Sequence, residues 1–155
     1  MPATSHAPSL TDVLRGAAAG AAATAAMSAL MLAAGRLGLM GRQPPEAIVR
    51  RTGRLVGQEP RGRAAQALAA AAHLGFGAGT GAAYALLPPA RRPVLRGVLV
   101  SLGVYAGSYA GWVPALGALP AAHDDRPDRP AVMLAAHVVY GLVLAPVERR
   151  LEQRP

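Results

Sequence analysis

Residues 64–87, AAQALAAAAHLGFGAGTGAAYALL, carry no Asp, Glu, Lys or Arg and a single histidine, His73. At about 1.5 Å of rise per residue, a helix over this run exceeds the ~30 Å hydrocarbon thickness of a bilayer. Arg61 and Arg63 before it, and Arg91 and Arg92 after it, mark where water returns. Runs equally free of charge cover 16–35, 97–123 and 130–147, and all sixteen basic residues, every one an arginine, fall outside them. The fold class expected is therefore all-α: an integral membrane bundle of four transmembrane helices. Spans are placed at about 16–35, 64–87, 94–113 and 131–147, after a flexible N-terminal tail over 1–15. A soluble alanine-rich bundle is the competing reading, but it would need charged outer faces that these runs lack.

Composition narrows the chemistry. Charged residues are 15% of the chain against a typical ~25%, which fits lipid-facing surface. There is no cysteine, hence no disulfide, thiolate metal site or thiol nucleophile. A net charge of +8 could suggest nucleic acid, yet the arginines flank span ends, where lipid phosphates lie, and lack interleaved aromatics for stacking bases. No nucleic-acid partner is expected. A cleavable signal peptide fits poorly, because the first apolar run is longer than the usual ~7–15 residues.

Within the spans, small residues recur every fourth position. Gly16, Gly20, Thr24 and Ser28 form one such line, His73, Gly77 and Gly81 a second, and Gly103, Gly107 and Gly111 a third. In lipid, helices associate through close packing and interhelical hydrogen bonds, so these stripes, with Gly141, are expected to be packing faces. Prolines 88 and 89 end the second span, and the short turn to the third makes those two spans expected antiparallel neighbours. Trp112 is an expected interfacial anchor, Pro114 ends or kinks the third span, and Pro146 closes the fourth.

Between the first two spans, loop 36–63 holds seven arginines. Pro45 is placed to open a short helix over 46–56, with Ile48, Val49, Thr52, Leu55 and Val56 on one side and Arg50, Arg51 and Arg54 elsewhere. Such an element can lie on anionic lipid headgroups; a solvated loop is the plainer alternative. The acids cluster only in loop 123–129, where His123 stands beside Asp124 and Asp125. That fragment resembles part of a metal site, but with no further ligand indicated it reads as a solvated link. Seven arginines flank the spans on one side and nine on the other, so charge does not orient the chain.

A motif recurs inside the membrane runs. Residues 71–77 read AAHLGFG and 135–141 read AAHVVYG, so AAH-x-x-aromatic-Gly occurs in the second and the fourth span. Those spans run in the same direction, which suggests two helix pairs related as a parallel repeat, with His73 and His137 at similar depth. An intramembrane histidine is a candidate site. Three readings compete. Each imidazole bonds across a helix interface to Thr24, Ser28, Ser101 or Tyr105; or the pair titrates in a polar path with Gln66, Thr80, Tyr84 and Tyr140; or the two ligate a haem, although nothing recognises its propionates. No other cofactor is expected, and a zinc site lacks ligands.

Together, Gly20, Ala23, Thr24 and Met27, Pro44-Pro45, His73 with Phe76-Gly77, the glycine stripe leading to Trp112 and Pro114, and His137 with Tyr140-Gly141 resemble the YagU-like group of small bacterial four-helix inner-membrane proteins of unknown function. The likeness covers most of 16–147; Phe76, where the second copy has Tyr140, departs from any shared hydroxyl role. It implies a multi-pass protein of the bacterial plasma membrane. The expected role is structural or stress-related, with histidines that fix packing or sense pH. The rival is a small transporter or proton-conducting pore, as a homo-oligomer through an exposed glycine stripe. No enzyme is expected, since the spans offer no paired carboxylates and no serine set with a histidine and an acid. Expected partners are the bilayer and anionic lipid at loop 36–63.

Overall fold

The computed structural model describes residues 8–153, and among these every regular element is helical. Helix α1 spans Leu10–Arg36, α2 Pro44–Leu55, α3 Gly62–Ala85 and α4 Pro93–Gly107. A π-helical turn, Ser108–Trp112, carries α4 into the short α5, Val113–Ala115, and α6 spans Asp128–Glu152. Three of these units are long and apolar enough to cross a membrane: α1, the continuous stretch Pro93–Ala115, and α6. Helix α3 has the length, at 24 residues. Its alanines and glycines contribute little to insertion, and so it does not join the three on apolarity.

Helix boundaries differ from the expected spans for local reasons. Helix α1 starts at Leu10, inside the expected tail, because Ser9 caps it: Ser9 Oγ accepts from the Asp12 amide (3.2 Å) and Asp12 accepts from the Ser9 amide (2.9 Å). This is a reciprocal capping box. The remainder of that tail, residues 1–7, lies outside the described residues. Pro146 does not close α6, which continues to Glu152. A proline removes one helical hydrogen bond, while the fully buried Ala145 and the buried Glu148 hold the turns on either side. Pro114 acts as expected. It cannot donate to Ala110, and the ladder slips to the i−5 bond from the Val113 amide to the Ser108 carbonyl.

The long helices pack in the order α3, α1, α6, α4. Two close crossings set this order. Gly16 and Gly20 of α1 meet Gly81 and Gly77 of α3, where a Cβ on Gly81 would stand 2.7 Å from the Gly20 Cα. Gly97 of α4 meets Gly141 and Ala145 of α6, and a Cβ on Gly97 would stand 2.7 Å from the Gly141 carbonyl oxygen. Gly97 thus stands to Gly141 and Ala145 as Gly20 stands to Gly77 and Gly81. The AAH-x-x-aromatic-Gly motif belongs to the second helix of each pair, and its glycine is the crossing point.

The relation between α3 and α4 corrects the expectation of packed neighbours. They are joined through residues 86–92 but scarcely touch along their lengths, because α3 is drawn onto α1 and α4 onto α6. The glycines of α4 follow suit. Gly103, Gly107 and Gly111 face open space, with no atom within 4 Å of a Cβ built on any of them, rather than packing against another helix of the chain.

Helix α2 closes one end of this open-sided arrangement. It packs against α3, Gln43 Nε2 at its start donates to the Met31 carbonyl of α1 (3.1 Å), and Arg51 Nε donates to the Leu116 carbonyl (2.8 Å). Ala47 is buried with Tyr109, Val113 and Leu119 in a second core beneath it.

Candidate functional site

The seam left between α3 and α4 opens into a cavity of about 220 Å³ in the bundle interior. Its walls come from all four long helices and from Pro44, Ile48 and Val49 of α2. The wall is mainly apolar and contains no Asp, Glu, Lys or Arg. Phe76 and Trp112 line it and are nonetheless 52% and 44% exposed, so at this seam the cavity wall is also the outer surface of the bundle.

Both histidines border the cavity. His73 and His137 sit about 17 Å and 14 Å along α3 and α6 from the α2 end, at 1.5 Å per residue. His73 Nδ1 lies 3.2 Å from Ser28 Oγ, a link between α3 and α1. His137 Nδ1 lies 2.8 Å from the Met133 carbonyl one turn back, and the ring rests against Tyr105 with centroids 5.2 Å apart. A carbonyl can only accept, so Nδ1 carries the proton and the neutral ring leaves Nε2 as an acceptor.

The other candidate polar residues divide. Tyr140 and Thr80 line the cavity; the Tyr140 hydroxyl donates to the Gly77 carbonyl (2.7 Å) and the Thr80 hydroxyl to the Phe76 carbonyl (3.0 Å). Gln66 does not reach it and lies exposed near the start of α3. Tyr84 is fully buried at the other end of the bundle, where its hydroxyl donates to the Pro93 carbonyl (3.0 Å) beneath the Arg96 guanidinium. A path through all six expected residues is therefore not assembled.

Ser101 is the feature with no local account. It lines the cavity at 1% exposure, and its hydroxyl has no hydrogen-bond partner. By the Gly20–Gly97 correspondence it occupies the position of Thr24, whose hydroxyl donates to the Gly20 carbonyl (2.8 Å). Ser101 makes no such bond.

Loop 123–129 is a structural device rather than a solvated link. The Asp125 side chain is 1% exposed; it accepts two bonds from Arg129 Nη1 (2.6 and 2.8 Å) and one from the Tyr109 hydroxyl (2.6 Å). Arg129 Nε reaches on to the Met40 carbonyl (2.9 Å), and Arg126 Nη2 donates to the Gly38 carbonyl. Burial alone would push the Asp125 carboxyl up, but Tyr109 and Arg129 outweigh it and hold it below the usual carboxylate range. The four-residue spacing of Asp125 and Arg129 was the available sequence signal. His123 and Asp124, by contrast, pair at 3.1 Å in the open, 81% and 69% exposed.

On α2 the arginines expected to face lipid have protein partners. Glu59 accepts from Arg50 Nε (3.0 Å) and Arg54 Nη1 (3.0 Å), and the Arg50 contact holds its carboxyl below the usual range. Among the described residues no group of three or more His, Asp or Glu could hold a metal ion. No arginine or lysine lines the cavity to receive haem propionates.

Compared with known proteins, the chain matches the family of unknown function DUF6789 over residues 10–155, and it belongs to that family. The match points to an uncharacterised family and does not tie the chain to the YagU-like group. No curated protein and no solved structure matches it.

Proposed function

Membership of DUF6789 brings no activity with it, and we propose that the chain is a four-span protein of the bacterial plasma membrane whose interior receives a small lipid-soluble molecule from the bilayer. The observation that carries this reading is the cavity itself: an uncharged, mainly apolar chamber with a few polar groups, opening sideways between α3 and α4. An apolar pocket with sparse convergent polar groups is the usual form of a small-molecule site. Here the open side faces the direction from which a lipid-soluble molecule would come. The reading assigns the histidines to the pocket wall and gives them no catalytic step.

Inclusion of α3 as the fourth span rests on its partner. It lies antiparallel to α1 from the Gly16–Gly81 crossing to the Ser28–His73 contact, and so occupies the same depth as a helix apolar enough to span. Because the chain has no cysteine, single cysteines at Gln58, Ala90 and Ala121 report the topology directly. Four spans place 58 and 121 on one side of the membrane and 90 on the other, as read by an impermeant maleimide on intact spheroplasts. Labelling of 58 and 90 from one side and of 121 from the other would remove α3 from the membrane and the pocket reading with it. The pocket is tested separately by Val104→Trp, which fills the cavity and is expected to abolish saturable uptake of lipid-soluble probes by the purified chain.

A further inference from the structure

The hydroxyls around the cavity are nearly all committed as donors. Thr24 donates to the Gly20 carbonyl, Thr80 to Phe76, Ser108 to Val104 (2.7 Å), and Tyr140 to Gly77. His73 is engaged through Nδ1 with Ser28. Besides Nε2 of His73 on α3, two functions remain open on the facing helices α4 and α6: the Ser101 hydroxyl, which has a proton and no acceptor, and His137 Nε2, which has a lone pair and no donor among the described residues. Both line the same cavity, and the His137 ring rests tilted against Tyr105, one turn along α4 from Ser101, with centroids 5.2 Å apart.

Resting on the pocket reading above, we propose that Ser101 and His137 recognise the hydroxyl of a neutral lipid alcohol or phenol. One hydroxyl group completes both: its lone pair accepts the Ser101 proton and its own proton goes to His137 Nε2. An ether, ester or ketone supplies only the acceptor and leaves Nε2 unpaired. A carboxylate or phosphate brings a charge into a wall with no arginine or lysine to meet it. The size agrees with a head group and the first carbons of a chain. At about 220 Å³ the cavity exceeds the ~150 Å³ that takes benzene and falls short of the ~300 Å³ lower bound of drug-sized pockets. The rest of an apolar tail leaves between Phe76 and Trp112 into lipid.

Trp112 is the single tryptophan of the chain and lines the cavity, so its fluorescence reports occupancy. The full chain in a non-ionic detergent is titrated with a dibrominated C12 alcohol, the methyl ether of that alcohol, and the matching carboxylic acid at neutral pH. Saturable quenching by the alcohol, at least about fivefold tighter than by the ether or the acid, is the expected result. Ser101→Ala and His137→Phe are each expected to weaken the alcohol about two- to tenfold, the worth of one neutral hydrogen bond; His137→Phe leaves the ether unchanged, whereas Ser101→Ala weakens the ether as well, since its oxygen accepts from the same hydroxyl. Equal saturable quenching by all three probes, or unchanged alcohol affinity in Ser101→Ala, overturns the hydroxyl assignment while the pocket stands. Saturable quenching by none of them overturns the pocket reading as well.

Discussion

The Tyr140 hydroxyl of α6 donates to the Gly77 carbonyl of α3 at 2.7 Å, and this bond spans the two copies of the repeated motif. Phe76 occupies the place of Tyr140 in the other copy and has no hydroxyl with which to reach the Gly141 carbonyl. The two halves are closed on one side, where α1 and α6 pack, and open on the other, where α3 and α4 do not. In Tyr140→Phe the loss is expected near ~0.6 kcal/mol, the average for interhelical bonds in membranes, because the Gly77 carbonyl keeps its place in the helix. Reversible unfolding in mixed SDS and mild detergent measures it, with Phe76→Leu as a control at the open seam that changes stability less than Tyr140→Leu does. The reverse order would show that the open seam, not the closed one, holds the bundle.

The glycines divide sharply in what they tolerate. A Cβ on Gly77 would overlap Thr24 Oγ1, and one on Gly141 would overlap the Val98 backbone, whereas Gly103 and Gly107 have open space. Gly77→Ala and Gly141→Ala must push helices apart, at a cost of about 1–3 kcal/mol as in other overpacked cores. Gly103→Ala and Gly107→Ala instead gain up to about 1 kcal/mol of helix propensity. Thermal aggregation midpoints of the four purified variants separate the two groups. A fall for Gly103→Ala as large as for Gly77→Ala would place a partner on the outer stripe of α4.

Ser101→Ala is expected to stabilise the empty protein. Its hydroxyl is buried without a partner, and such a group costs about 1–3 kcal/mol of desolvation. Removing it deletes that cost along with the proposed recognition of a hydroxyl, so stability and affinity should move in opposite directions. Calorimetry of the delipidated protein is the measurement. A lower midpoint for Ser101→Ala would mean that the hydroxyl already has a structural partner and is not waiting for one.

The distribution of charge made the long helices readable, since within α1, α3, α4 and α6 arginines stand only at or near the ends. The four-residue stripes of α1 and α3, and the repeated AAH motif, likewise marked real crossing points at Gly20, Gly77 and Gly141. Which partner each stripe meets was not readable. Gly103, Gly107 and Gly111 form as regular a line as Gly16 and Gly20 do, and only Gly97, six residues before it and buried in α4, makes the crossing. Periodicity gives a face but not the neighbour. The cavity was hidden for the same reason: it depends on α3 and α4 failing to pack, on the slip at Pro114, and on α2 folding over one end. Loop 123–129 misled because polarity suggests solvent, while Asp125 is bound by Tyr109 of the π-helical turn and by Arg129, which itself reaches the distant Met40 carbonyl.

That enclosure sets the acid limit of the fold. Asp125 is held below the usual carboxylate range by Tyr109 and Arg129 in spite of its burial, so its folded pKa is lower than its unfolded one. A depressed carboxyl contributes stability that is complete above the unfolded value of about 3.9 and is lost as pH falls from there through the folded value. Stability from this group should therefore be flat from pH 8 to pH 5 and decline below about pH 4. Asp125→Ala removes the carboxylate and leaves Arg129, with a side chain 9% exposed, without its ion partner. Breaking a buried pair from one side costs about 3–5 kcal/mol. The variant is expected to lose that stability at neutral pH and, with it, the part of the acid decline that belongs to Asp125. An unfolding midpoint followed from pH 7 to pH 3 in both proteins tests the assignment. Parallel acid declines in the two would move the acid sensitivity to another carboxylate, with Glu59 between Arg50 and Arg54 the first to examine.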